Sequence, residues 1–312
     1  MVVEAAVKDM PPLAGRLRLV RWRRVAVFYG LTLTLTTAVV VAWTAAGGTL
    51  RGTAGTLVLN LSMLVPGAVA LVLERWGSRE PAAIALAIRR PALRWLIVAW
   101  LFAAGLMLLA LALGVAMPGA SFSADMEGLA SIGMSSEQIG SMRGRLPASA
   151  AGAVAGALVQ GLLLGPTVLM VGALGEELGW RGLLHHELAP LGQWPRSALT
   201  GLLWGAWHLP AVFLGYAYPT HPVLGGMVLL GLTQLLAPIY AWLRDRSESI
   251  FVPAVFHGTC GGTSMVAIAF VGGSDELLSG FTGIAGLVSA AAGCAVALAI
   301  LRPSAEDARA GV

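Results

Sequence analysis

Two adjacent carboxylates, an arginine four residues on and two distant histidines are the side chains of this sequence best suited to chemistry. The stretch VGALGEELGWRG carries Glu176, Glu177 and Arg181 directly after a long apolar run. LLWGAWHLP carries Trp204 and His208, and VPAVFHGTCGGTS carries His257. A charged group in hydrocarbon is expensive and faces a cavity or a partner. On a helix Glu177 and Arg181 share a face and can pair, which lowers the cost of burying either. Glu176 points about 100° away from Glu177. One carboxylate is therefore free to be structural while the other faces a cavity. Trp204 with His208, and His257 with Gly261, also share faces. The plainer alternative is a solvated carboxylate at a helix end and two hydrogen-bonded packing histidines.

The elements that must position these groups follow from composition. The chain has 312 residues, of which 57% are hydrophobic and 12% charged, with a mean hydropathy of +0.79. Soluble domains carry about 25% charged residues, so the expected class is an all-α polytopic membrane protein. Apolar runs of roughly 20 residues occur near 25–46, 55–73, 95–117, 149–174, 197–214, 222–243, 249–271 and 280–301, a bundle of about eight transmembrane helices. Counting around those spans, 17 Lys and Arg fall on one side, and Arg51, Arg143 and Arg145 on the other. Basic residues stay cytoplasmic, so both termini are expected inside. The parts are a basic cytosolic tail (1–24), N-terminal helices and an outer loop (25–148), a core (149–271), and a last helix with a cytosolic tail (272–312). Segment 79–90 reads as an interfacial helix.

Depth ties the candidates together. His208 lies 11 residues into its span and His257 8 into its own, about 16 and 12 Å at 1.5 Å per residue. Glu176 reaches about 14 Å if its helix continues past the glutamates, and the first proline that would stop it is Pro190. Convergence of one acid and two imidazoles in a single layer is the reading this supports. Other histidines fit less well. His185 and His186 lack the HExxH spacing, and His221 sits in a short loop. Cys260 and Cys294 form no CxxC pair. Basic residues confined to short loops argue against nucleic acid, and the absence of an internal repeat argues against a transporter with a mid-membrane proton site.

EELGWRG, WGAWHLP and FHGTC, in three successive parts of the chain, resemble the CPBP family, the CAAX-prenyl-protease-type or Abi intramembrane proteases. The family pattern is Glu-Glu-x-x-x-Arg, an aromatic-x-x-x-His, and His-x-x-x-Asn. Here these are Glu176, Glu177 and Arg181; Trp204 and His208; and His257, with Gly261 where the family has Asn. The resemblance covers roughly 150–270. It implies a conical helical bundle, a cavity opening to the cytosolic leaflet, and hydrolysis of peptide bonds near the membrane. On that basis Glu176 activates water, His208 helps to position it, and His257 stabilises the oxyanion. Glu177 and Arg181 hold the helix, with Trp204 in support. The same Glu176, His208 and His257 could instead ligate a zinc ion, so metal-assisted and metal-free hydrolysis both stay open. The missing Asn keeps a non-catalytic membrane binding or immunity protein as the alternative. The expected partners are membrane lipids and a membrane-associated peptide or protein. The expected location is the cell membrane, as a multi-pass protein of a bacterial plasma membrane.

Overall fold

The computed structural model describes residues 19–77 and 81–301. Most of the basic tail, Arg79, Arg302 and Arg309 lie outside the described residues. Among the described residues, eight long helices account for nearly all the regular structure: α1 (Trp22–Ala45), α2 (Ala54–Gly77), α3 (Leu93–Val115), α4 (Ala150–Glu187), α5 (Gln193–Phe213), α6 (Pro222–Ser247), α7 (Phe251–Ala269) and α8 (Ile284–Leu301). Six of them, α1 to α4, α6 and α7, are long and apolar enough to cross a membrane. The apolar part of α8 is shorter, and α5, which carries His208, falls outside that set. The all-α polytopic architecture therefore stands, with helices at all eight expected places. Exposed Val27, Leu31 and Leu35 on α1, and Val159, Leu163 and Val168 on α4, present apolar side chains outward. Lipid requires that arrangement, because outward apolar groups cost nothing in hydrocarbon.

Helix α4 is the spine of the fold. It runs unbroken through the two glutamates to Glu187, and a short 3₁₀ turn at Ala189–Leu191 containing Pro190 follows it. Two stretches of it are widened to π-helix, Gly165–Leu169 and Leu178–Leu184. Pro166 explains the first, since a proline nitrogen has no hydrogen to donate to the preceding turn. The second bridges Glu177 and Arg181, and widened turns of this kind collect at functional sites.

Glycines let neighbouring backbones close on α4. Gly161 and Gly165 face Gly258 and Gly262 of α7. A Cβ on Gly165 would sit 2.6 Å from Thr259 Cα, and one on Gly262 would sit 2.6 Å from Gly161 O. This small-xxx-small pairing on both helices is a common way for spanning helices to touch without a hydrophobic driving force. On the other side, a Cβ on Gly175 would lie 2.7 Å from Leu64 Cα of α2. The residue just before Glu176 is thus pressed against α2, while Gly258, just after His257, is pressed against α4.

The two ends of the bundle differ. One end is tied by ion pairs. Arg21 pairs with Glu187, Arg24 with Glu74 at 2.5 Å and Glu187 at 3.3 Å, and Asp245 with Arg196 at 2.5 Å and His185 at 2.8 Å. The other end is roofed by loops. Ser121–Phe122 pairs antiparallel with Val271–Gly272, and the helix Ser136–Arg143 is opened by a Ser135/Gln138 capping box. The 118–148 loop therefore caps the bundle. Of segment 79–90, expected as an interfacial helix, residues 81–90 are described, and among them only Ala82–Ala85 is helical. Ala87 turns left-handed, and its carbonyl accepts from Ile250 N at 3.0 Å, which docks the segment on the start of α7.

Candidate active site

Trp204 of α5 is the hub. Its indole Nε1–H donates to Glu176 Oε2 at 2.8 Å. Its ring centroid lies 5.8 Å from that of His208 and 5.8 Å from that of His257. Glu176 is only 2% exposed, while both imidazoles are half-buried. The structure thus brings together the acid and the two histidines singled out in the sequence, each from a different helix. The depth reckoning shifts for both histidines, because α7 begins at Phe251 and His257 stands nearer its helix start than the sequence count had it. Helix α5 begins at Gln193, so His208 stands one turn higher than expected, and Trp204 is level with Glu176.

Each imidazole is oriented through Nδ1. His208 Nδ1–H donates to the Trp204 carbonyl at 2.9 Å, and His257 Nδ1–H donates to Glu177 Oε1 at 2.8 Å. Fixing Nδ1 sets the ring orientation and leaves Nε2 outside these contacts. Glu177 also accepts from Arg181 Nη1 at 3.1 Å, and both residues of that pair are at most 1% exposed. Arg181 further stacks over Trp204 at 4.4 Å and over Tyr240 at 3.9 Å from the ring centroids. The second carboxylate therefore holds one imidazole and one guanidinium, whereas the first meets only an indole N–H and keeps Oε1 for another donor.

Tyr240 of α6 was not singled out in the sequence. Its ring packs on Trp204 at 5.3 Å and His257 at 5.7 Å and lies beneath Arg181. A phenol within an apolar span, in a chain with four tyrosines, was the available signal. Trp207 packs on His208 at 4.8 Å and is fixed by a bond from Nε1 to Thr36 Oγ1 of α1 at 3.0 Å. His185 is held by Asp245 and His221 lies beside Glu276, both away from this cluster. Cys260 and Cys294 are free thiols, as expected.

At Gly261 a Cβ would meet nothing within 4 Å. Position 261 opens onto free space one turn above His257, so an asparagine side chain has room there. The neighbouring hydroxyls differ in reach. Thr259 and Thr263 are fully buried, and Thr263 donates to Thr259 O at 2.6 Å. Ser264 donates to Gly261 O at 2.9 Å and lines a cavity of about 560 Å³. That cavity lies at the loop-roofed end of the bundle, away from the ion-paired end.

The zinc ligand set does not form. Among the described residues no three His, Cys, Asp or Glu side chains are placed to hold a metal ion. Glu176, His208 and His257 gather around the Trp204 indole, with Glu176 Oε2 already committed to it.

Fold and site define a polytopic helical membrane protein with an acid–imidazole cluster enclosed among its helices. Residues 157–263 match the family model described as Type II CAAX prenyl endopeptidase Rce1-like. The chain is also similar to CAAX prenyl protease 2 of Methanococcus maripaludis, 31% identical over 98 residues, which is 29% of this chain and 35% of that protein. The chain thus spans about a third of the curated relative it matches. The matched stretch contains Glu176, Glu177, Arg181, Trp204, His208 and His257, so the resemblance is borne out for the core that carries the site.

Proposed function

We propose that this protein is an intramembrane endopeptidase that hydrolyses peptide bonds of a membrane-associated peptide or protein. The observation that carries the reading is the single indole that holds Glu176 by hydrogen bond and packs against both imidazoles. In this mechanism the free Oε1 of Glu176 takes a proton from a water molecule. His208 Nε2 positions that water, and its oxygen adds to the scissile carbonyl carbon. His257 acts as the imidazolium: with Nδ1–H held by Glu177, its Nε2–H donates to the carbonyl oxygen as negative charge grows there. The charge of Glu177 supports the proton on His257. The C–N bond then breaks, and Glu176 returns its proton to the departing amine. Glu177, Arg181 and Trp204 position these groups without touching the reacting atoms.

The test is cleavage of a membrane-anchored peptide library in liposomes. Glu176→Gln removes the base and should abolish turnover. His257→Ala should lower kcat by about 10²- to 10³-fold, as for loss of one oxyanion donor. Equal product from wild type and Glu176→Gln would end the proposal. Activity that survives a chelator would agree with the metal-free route.

Gly261 favours a second reading, a non-catalytic membrane binding or immunity protein that keeps the fold. The Gly261→Asn variant separates the two. A rise in kcat of up to about 10²-fold supports a working oxyanion site short of one donor, whereas silence in both proteins supports the binding role.

A further inference from the structure

Asn60 is the only asparagine among the 312 residues, and it stands inside the spanning helix α2. A polar side chain within a span is costly and marks a partner or a site. An amide that serves as packing glue bonds across to a neighbouring helix. Asn60 instead donates from Nδ2 to Thr56 O of its own helix at 2.8 Å, and among the described residues it makes no hydrogen bond to another helix. Its Oδ1 approaches α4 where α4 carries no side chain: a Cβ on Gly172 would lie 3.7 Å from that oxygen. Gly172 and Glu176 are four residues apart, so they share a face with Cβ positions about 5–6 Å apart. Helical side chains lean back toward the preceding turn, which brings the Glu176 carboxylate toward the level of Asn60. Leu64, one turn further along α2, packs against Gly175, and this fixes the register of the two helices. His208 stands on that same upper level, one turn above Trp204.

We propose that Asn60 is a catalytic residue, supplying to the oxyanion the amide donor that position 261 lacks. The inference rests on the peptidase reading. The Asn60 amide has two hydrogens on Nδ2, and Thr56 O takes one of them. The second is free for a carbonyl oxygen. The terminal torsion of asparagine is broad, so the nitrogen end of the amide can turn toward α4. The substrate carbonyl then receives one donor from α2 and one, His257, from α7, the two helices that flank the glutamate turn of α4. Gly172 keeps the path between Asn60 and Glu176 clear, where any larger side chain would fill it.

The test uses the full-length protein in liposomes, a membrane-anchored peptide that it cleaves, and the same peptide with a phosphinate in place of the scissile amide. Asn60→Leu, nearly equal in shape, should lower kcat by about 10²-fold, as for loss of one oxyanion donor, with KM unchanged. It should weaken binding of the tetrahedral phosphinate by a similar factor. In the Glu176→Gln background it should leave binding of the uncleaved peptide as it was. Gly261→Asn should raise kcat of Asn60→Leu by about ten times the factor by which it raises wild type, because the two amides serve one oxygen. If Asn60→Leu does not yield folded protein, Asn60→Ala carries the same readouts. Wild-type kcat in the variant overturns the proposal. So does an equal loss of affinity for phosphinate and uncleaved peptide, which would make Asn60 structural, or a Gly261→Asn effect of the same size in both backgrounds. Equal product from wild type and Glu176→Gln ends the peptidase reading and takes this proposal with it. A difference between those two proteins, with Asn60→Leu behaving as wild type, ends this proposal alone.

Discussion

Trp204 gives Glu176 its one described hydrogen bond and gives both imidazoles a ring to pack on. Its substitution divides those duties. Phenylalanine keeps an aromatic wall and loses the N–H. A hydrogen bond to a charged group contributes about 1.5–3 kcal/mol. Trp204→Phe should therefore lower kcat by roughly 10- to 100-fold while far-UV circular dichroism and elution volume stay unchanged; wild-type kcat would show that the bond to Glu176 has no part in turnover. The same accounting explains the two carboxylates. Glu177 sits in a buried ion pair, and breaking such a pair costs about 3–5 kcal/mol because the partner charge is left unpaired. Its chemistry is used up in structure. Glu176 has no cation on it and remains available.

Helices α4 and α7 set the distance between the glutamates and His257, and they do so with glycines. A Cβ on Gly258 would overlap Gly165 O and reach 2.8 Å from Met170 N, whereas one on Gly261 meets open space. Gly258→Ala should destabilise the protein by about 1–3 kcal/mol, the usual result of overpacking, and shift His257 away from Glu177. Gly261→Ala should be neutral or slightly stabilising. Thermal unfolding in detergent reads both; equal midpoints for the two variants would show that the crossing yields easily. The sequence shows Gly161, Gly165, Gly258 and Gly262 as two GxxxG spacings, but 40 glycines in the chain hide which of them meet. Only the helix crossing picks them out.

The molecule is built with one end locked by ion pairs and the other roofed by loops around a cavity. Glu276 helps to hold that roof. It accepts from Thr220 N at 3.0 Å and from the Thr220 hydroxyl, beside His221. Burial pushes its pKa up, but the hydrogen bonds from Thr220 and His221 outweigh it and hold the carboxyl below its ordinary range. A carboxyl whose pKa is lower when folded stabilises above the unfolded value, about 4.3, and loses that contribution as pH falls through the folded value. Wild type should therefore lose stability between about pH 5 and 3 more steeply than Glu276→Gln. Parallel curves for the two proteins would exclude Glu276 as a source of the acid sensitivity.

The sequence by itself determined the membrane class, the places of the helices and the three motif stretches, because apolar length and i, i+4 spacing are local properties of a chain. It also carried the continuation of α4 past the glutamates, since no proline intervenes before Pro190. Tertiary structure alone decided that Trp204 is the centre of the cluster, that Arg181 stacks over both Trp204 and Tyr240, and that Arg51 meets a cavity. Those relations join residues distant in the chain. They depend on helix tilt and on how closely glycine-bearing backbones approach, which only the packed bundle fixes.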